Sequence, residues 1–379
     1  MSTAPGPGHR AAPLDAATSR RYVRQLALPQ VGATGQARLA SARVAVLGAG
    51  GLGSPTLLYL AGAGIGQITV VDDDVVDLGN LHRQVLHGEA DLGRPKVDSA
   101  ADAVARLNGT VTLRTVPTRL TPDNATALLA GHELVLDGSD SFATRDAVDA
   151  ACAELGVPHV WGAVSGTTGQ VSTFDARRGW RYRDLYPPAE EVRGAPSCAR
   201  GGVLGPVCGL VASCMAAEAV KLLVGGGEPL LGRLLVVDAW TMAVSTYTLP
   251  RGEVPTPGTE GGDAVEDATD AGPDGAWTPA ALRRALAGEH PPVVVDLRDP
   301  AERTVGILPG AVFLPFEEVL RGDHDAAVHG AVLHCASGMR SGLARDAVRA
   351  RGGEVGHLVG GWDAWADPGQ TGRRTDPAT

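Results

Sequence analysis

Apolar runs punctuated by glycine and by charge mark this chain at two places. From Ala42 to Asp74, ARVAVLGAGGLGSPTLLYLAGAGIGQITVVDDD reads as a short apolar run, a glycine cluster, a longer apolar stretch and a second short run closed by acids. That order predicts strand, turn, helix and strand. Such short continuous runs suit parallel strands buried on both faces. Beyond them, GRPKVDSA predicts a helix opening around Lys96, and LVLDGSDSFATR predicts a strand with Asp140 just past its end. The second place lies near the other terminus. There PPVVVDLRDPAERTVGILPGAVFLP, residues 291–315, predicts a strand, an acidic and basic turn, and a second strand after Pro309 and Gly310. VLHCASGMRSGLARDAV, residues 332–348, ends an apolar strand on Cys335, crosses a short Gly/Ser loop and enters a helix.

Between these regions the periodicity stops. From Arg251 to Trp277 the chain carries Glu253, Glu260, Asp263, Glu266, Asp267, Asp270 and Asp274 against one arginine, amid Pro, Gly and Thr. This is the composition of a disordered linker. A coil of that length spans ~25 to 30 Å, so it suits a tether between domains. At 379 residues the chain is long for one core. The expected organisation is a disordered N-terminus over 1–18, a first domain over 19–250, an acidic Pro/Gly linker over 251–275, a second domain over 276–367 and a flexible tail over 368–379.

The net charge of −10 argues against non-specific nucleic-acid binding. No uninterrupted run of 18 apolar residues and no basic-then-apolar start is present, so neither a membrane span nor a signal peptide is predicted and a cytoplasmic location is expected. The five cysteines, at 152, 198, 208, 214 and 335, include no Cys-x-x-Cys pair. They form neither a disulfide framework nor a zinc ribbon and suit a reducing compartment. Cys152, Cys208 and Cys214 lie in apolar, helical stretches and read as core.

Gly48, Gly50 and Gly53 form a Gly-x-Gly-x-x-Gly turn, and Asp72 follows the second strand where a ribose hydroxyl would sit. Alone this leaves NAD, FAD and ATP open. The flanks add Arg24 in RRYVRQL, Asn80 and Arg83 in LGNLHRQVL, then Lys96 and Asp140. Cations, an asparagine and a carboxylate around one nucleotide turn suit a triphosphate with Mg²⁺. Each also has a bland reading: a solvated arginine, Asn80 as a turn former, Asp140 as a helix N-cap. Lysine occurs only at Lys96 and Lys221, which singles out Lys96 as a place where arginine would not serve.

Cys335 is predicted at a helix N-terminus, where unpaired N–H groups and the helix dipole favour thiolate over thiol. A buried structural cysteine is the plain alternative. Four residues, Ala336 to Met339, separate it from Arg340. Cysteine phosphatases place five there, so this smaller ring fits one sulfur atom better than a phosphate.

With Asp296, Arg298, Glu302, the Gly310 turn, the Cys335 loop and Gly360-Gly361-Trp362 in register, the last third of the chain resembles the rhodanese family of sulfurtransferases. From Arg20 to about Leu249 the chain resembles the MoeB/ThiF family, adenylyltransferases that activate ubiquitin-like sulfur carriers and are related to ubiquitin-activating enzymes. The implied fold class is α/β: a Rossmann-like adenylyltransferase domain followed by a smaller α/β rhodanese domain. The resemblance implies that Gly51 and Asp72 contact ATP, that Asn80, Arg83 and Lys96 face its triphosphate, that Asp140 is a Mg²⁺ ligand, and that Arg24 reaches into the partner's site of a homodimer. Ser141 stands where many relatives have asparagine. Cys198 matches a cysteine that bonds the carrier. The family's two Cys-x-x-Cys pairs are absent, with Arg181 and Asp184 at the first, so zinc is not expected, as in fused adenylyltransferase/rhodanese proteins of the MoeZ type.

The implied reaction adenylates the C-terminal Gly-Gly of a small carrier. Cys335, held in a loop with Arg340, then passes on sulfur taken from thiosulfate or a cysteine desulfurase persulfide, leaving a thiocarboxylate. Molybdenum cofactor, thiamine, cysteine and secondary-metabolite synthesis all use such chemistry. Two rivals stand beside it: a protein-conjugating enzyme acting through Cys198 with a regulatory rhodanese domain, and an NAD-dependent oxidoreductase.

Overall fold

In a computed structural model, residues 15–186, 202–249 and 275–366, apart from 289, 301 and 337, are described. Residues 1–14, linker residues 251–274, the Cys198 loop and the C-terminal tail lie outside these residues. Asp15 to Thr18, expected within a disordered start, instead open α1, where the Asp15 carboxylate accepts from the Thr18 N–H at 2.7 Å and caps the helix. The chain divides into two units, residues 1–180 with 201–245, and residues 181–200 with 246–379.

The first unit opens with α1 (Ala16–Arg21), α2 (Val23–Leu26) and α3 (Gly32–Ser41). Next come β1 (Arg43–Leu47), α4 (Gly53–Ala63), β2 (Gln67–Val71), α5 (Lys96–Leu107), β3 (Thr112–Val116), α6 (Pro122–Leu129), β4 (Leu134–Asp137), α7 (Phe142–Leu155) and β5 (His159–Ser165). β6 (Thr168–Phe174), α8 (Gly205–Val224) and β7 (Arg233–Asp238) follow, and β8 (Ala243–Thr248) begins in this unit and crosses its boundary. The sheet order is β3-β2-β1-β4-β5-β6-β7-β8. The first five strands are parallel, and β5–β6 and β6–β7 pair antiparallel. Val, Ile and Leu on the central strands are fully enclosed, as strands covered by helices on both faces require. β1 sends its crossover to β2 on one side, and the chain later returns to β4 on the other. Their carboxyl ends therefore frame the point where strand order reverses, the usual place for a ligand crevice.

α8 is 20 residues long and, by composition, apolar enough to cross a membrane. Here it packs on α3, α4, β5 and β6. Its acid, Glu218, is 2 % exposed, accepting hydrogen bonds from the Thr173 hydroxyl at 2.9 Å and the Leu230 N–H at 2.7 Å, with Lys221 ion-paired to it. These partners offset the cost of burying a carboxylate.

The second unit contains β9 (Ala276–Trp277), α9 (Pro279–Leu286), β10 (Val294–Asp296), β11 (Val312–Phe313), α10 (Phe316–Arg321), α11 (Asp325–Val328), β12 (Val332–His334), α12 (Met339–Ala350), β13 (Gly356–Leu358) and α13 (Gly361–Ala366). Its sheet runs β11-β10-β12-β13-β9, every pair parallel. Asp296 aligns with His334 across β10 and β12, so Cys335 emerges at the carboxyl edge, again between strands whose crossovers diverge.

Candidate functional site

The glycine turn follows β1 directly. Gly48 takes a left-handed φ of +84° while its N–H bonds the Val71 carbonyl at 2.9 Å. A Cβ at position 53 would lie 1.7 Å from the Gly48 oxygen, so the first turn of α4 can fold back on the strand end only with glycine there. Asp72, just past β2, accepts from the Ala49 N–H at 2.7 Å and from the Asp74 N–H at 2.8 Å. Its carboxylate thus fixes the turn where the sequence places a ribose contact.

Asn80 caps its own turn, its amide oxygen accepting from the Asp77 N–H at 3.1 Å. Its turn-forming reading holds. The next helical step carries Arg83, whose guanidinium donates to the Gly79 carbonyl at 3.0 Å, while its side-chain stem lies 3.6 Å from where a Cβ on Gly51 would be. Lys96 opens α5 with its side chain 6 % exposed, paired with Asp74 at 2.8 Å. Asp72, Asp73 and Asp74 form an acidic cluster, with Asp73 paired to Arg119 at 3.0 Å.

Asp140 lies exposed in the loop after β4. The N-cap of α7 is Ser141, whose hydroxyl accepts from the Thr144 N–H at 3.1 Å, so the reading of Asp140 as the cap is corrected. Its carboxylate takes no hydrogen bond or ion pair among the described residues. An exposed carboxylate of this kind could offer a divalent cation one hard oxygen ligand. Gly48, Gly50, Gly51, Gly53, Asp72, Arg83 and Lys96 are drawn together by these contacts, with Asn80 on the turn that carries Arg83. Arg24 is exposed on α2, and none of the described hydrogen bonds or ion pairs ties it to this group.

In the second unit Cys335 is fully buried. Its Sγ lies 3.4 Å from the Ser341 N–H, the third residue of α12, and 3.7 Å from the Ser341 hydroxyl. One of the orphan amides of a helix start is therefore spent on this sulfur. The loop returns through Gly338, left-handed at φ +87°. Gly361 packs against it so closely that a Cβ there would sit 2.3 Å from the Ala336 oxygen. The Trp362 and Asp363 N–H groups then donate to the Cys335 and Ala336 carbonyls at 2.8 and 3.0 Å. The Gly360-Gly361-Trp362 segment is thus the floor of the cysteine loop.

Two buried ion pairs brace the loop. Asp296 and Arg298, each 1 % exposed, meet at 2.7 Å, and the Arg298 guanidinium lies over the Trp362 ring at 4.6 Å. Arg340 is held by both oxygens of Glu302, one at 2.9 Å. Burial works against the Arg340 cation, but Glu302, Cys335 and Asp299 together outweigh it and hold the guanidinium pKa well above its usual value. His334 is enclosed beside them, with burial pushing its pKa down to about 4 against the opposing pull of Asp296. Cys152 and Cys208 are buried in α7 and α8, and Cys214 is half-buried. Cys198 lies outside the described residues.

The sequence marks Arg340 and Glu302 without pairing them, and it does not mark His87 or Ser99. His87 is buried, within hydrogen-bond distance of the Ala49 carbonyl at 3.0 Å and the Ser99 hydroxyl at 2.8 Å. The only hint was its place one turn beyond Arg83.

Known proteins resemble this chain over both units. Residues 22–255 match the ThiF family and residues 278–368 match the rhodanese-like domain. The chain is 44 % identical over 361 residues to a probable adenylyltransferase/sulfurtransferase MoeZ of Mycobacterium tuberculosis, covering 91 % of this chain and 92 % of that one. It is 45 % identical to the sulfur carrier protein adenylyltransferase of Thermus thermophilus, over 61 % of this chain and 87 % of the other. Among solved structures, E. coli MccB with ATP superposes with a TM-score of 0.54 at 20 % identity, over 62 % of this chain and 73 % of that one, which speaks to fold alone. With nine-tenths of its length aligned to such a relative, and both matched regions carrying the motifs described above, this chain belongs to the ThiF family and bears a rhodanese-like domain after it.

Proposed function

We propose that the chain adenylates the C-terminal glycine of a ubiquitin-like sulfur-carrier protein and converts it to a thiocarboxylate. The observation that carries this reading is the coexistence, in one chain, of a glycine turn ringed by Asp72, Arg83 and Lys96 and a separate cysteine cradled by a helix N-terminus. In the first half-reaction a carboxylate oxygen of the carrier bonds to the α-phosphorus of ATP, and the bond to pyrophosphate breaks. Both reactants are anionic. Arg83, Lys96 and Arg24 offset their repulsion and take up charge on the departing pyrophosphate, a task for which comparable arginines are worth about 10³ to 10⁵ in rate. Asp140 would hold Mg²⁺, which supplies further charge neutralisation when bound.

In the second half-reaction the terminal sulfur of a Cys335 persulfide bonds to the acyl carbon and AMP leaves. A second thiol, with Cys198 the candidate, then attacks the Cys335 sulfur of the resulting acyl disulfide, breaking its S–S bond and freeing the thiocarboxylate, and a small-molecule thiol reduces the Cys335–Cys198 disulfide for the next turnover. The sulfur donor is thiosulfate or a desulfurase persulfide, the working assembly is a homodimer and the location is cytoplasmic. The domains run over 19–250 and 276–367.

Intact mass of a carrier ending in Gly-Gly, after incubation with enzyme, Mg-ATP and thiosulfate, tests the proposal. A gain of about 16 Da, lost with Cys335→Ala, is expected. Adenylation without any sulfur gain would remove the second half-reaction, and isopeptide products indifferent to Cys335 would favour conjugation instead.

A further inference from the structure

We infer that His87 is a positioning residue of the nucleotide site, fixing the glycine turn and the Lys96 helix relative to one another; this rests on the adenylyltransferase reading. The support is a closed circuit of contacts. The Ala49 N–H donates to Asp72 at 2.7 Å, Asp72 also accepts from the Asp74 N–H at 2.8 Å, and Asp74 holds Lys96 at 2.8 Å. Ser99 lies one turn along α5 from Lys96. Its hydroxyl meets His87 Nδ1 at 2.8 Å, and His87 Nε2 closes the circuit on the Ala49 carbonyl at 3.0 Å.

A carbonyl only accepts, so Nε2 carries the proton and donates to Ala49, while Nδ1 is hydrogen-bonded to the Ser99 hydroxyl, which also serves the Asp91 carboxylate. Both polar groups of Ala49 are therefore engaged from opposite partners. A trans peptide points its C=O and the following N–H in opposite directions. Holding the Ala49 carbonyl toward His87 thus aims the Gly50 N–H to the other side of the turn. His87 is 7 % exposed, which keeps water from replacing it as the partner of that carbonyl. A single imidazole so orients a glycine-turn amide and ties it to the helix that presents Lys96, the two features a triphosphate needs in register.

Calorimetric titration of the full-length protein with Mg-ATP tests this without any carrier. His87→Leu removes both hydrogen bonds and is expected to weaken binding by about ten- to a hundredfold. His87→Gln keeps a donor for Ala49 and is expected to stay within about threefold of wild type, with Ser99→Ala between the two. Equal affinity of His87→Leu and wild type would overturn the inference. So would equal loss in His87→Leu and His87→Gln, which would mark the ring as packing only. Should His87→Leu fail to fold, the His87→Gln and Ser99→Ala affinities decide alone, a loss in Ser99→Ala with retention in His87→Gln supporting the circuit and the reverse order refuting it. Wild type that binds no ATP would instead remove the adenylyltransferase reading itself.

Discussion

Glu302 and Arg340 sit face to face at 2 % side-chain exposure each. Neither charge has water to fall back on. Removing one leaves the other buried and uncompensated, so Glu302→Ala should cost about 3–5 kcal/mol of stability, read from denaturant unfolding. A loss below about 1 kcal/mol would mean that solvent reaches Arg340. The histidines of the same unit give a second expectation at this scale. Burial lowers the pKa of His334 and of His357 to about 4, whereas an unfolded histidine titrates near 6.5. Between those values the unfolded chain binds more protons, so stability is full above about pH 6.5 and declines as the pH falls toward about 4. Each histidine contributes a slope of up to about 1.4 kcal/mol per pH unit. Unfolding midpoints that stay constant from about pH 7 to about pH 4.5 would contradict this.

At the scale of elements, two glycines act as contacts between segments. Gly53 lets α4 start against the end of β1, and Gly361 lets α13 start against the cysteine loop. Gly361→Ala should push the Cys335 loop away from its floor, abolishing sulfur loading from thiosulfate while leaving ATP–pyrophosphate exchange at the wild-type rate. Gly53→Ala should do the opposite, removing nucleotide binding and sparing persulfide formation. Any variant that erased both activities would indicate global unfolding. This division also shows what the sequence makes legible. Gly-x-Gly-x-x-Gly after an apolar run, and a cysteine ending another, are local patterns, and local patterns fix strand, turn and helix order. The pairing of Arg340 with Glu302, 38 residues apart, and of His87 with Ala49, again 38 apart, depends on which strand neighbours which. Nothing in the spacing of charges encodes that. The cap of α7 at Ser141 rather than Asp140 turns on one residue of register, which periodicity does not resolve.

For the whole molecule, both candidate sites obey one rule: each lies at the carboxyl edge of a run of parallel strands, between the two strands where the crossovers part. β1 and β4 do this in the first unit, β10 and β12 in the second. Backbone N–H groups and helix starts gather there without any side chain being spent, which is why a nucleotide turn and a sulfur cradle arise from the same architecture. If Arg24 completes the site of a second copy, mixing Arg24→Ala with Lys96→Ala protein should restore adenylation. About a quarter of the sites would then pair an intact Lys96 with an intact Arg24 from the partner. No recovery after subunit exchange would place Arg24 in its own protomer's site or outside catalysis.

The apolar helix α8 carries one more consequence, for biosynthesis. A 20-residue segment with mean hydropathy of 1.9 over its most apolar window is hazardous while it emerges from a ribosome, because exposed apolar chain invites aggregation. Everything it packs on most extensively, α3, α4, β5 and β6, is encoded before it. β7, which supplies a smaller share, and Leu230 before it, whose N–H bonds Glu218, are still to come. The order of the chain thus delivers the docking surface ahead of the segment that must be hidden, and α8 can be covered as it is made.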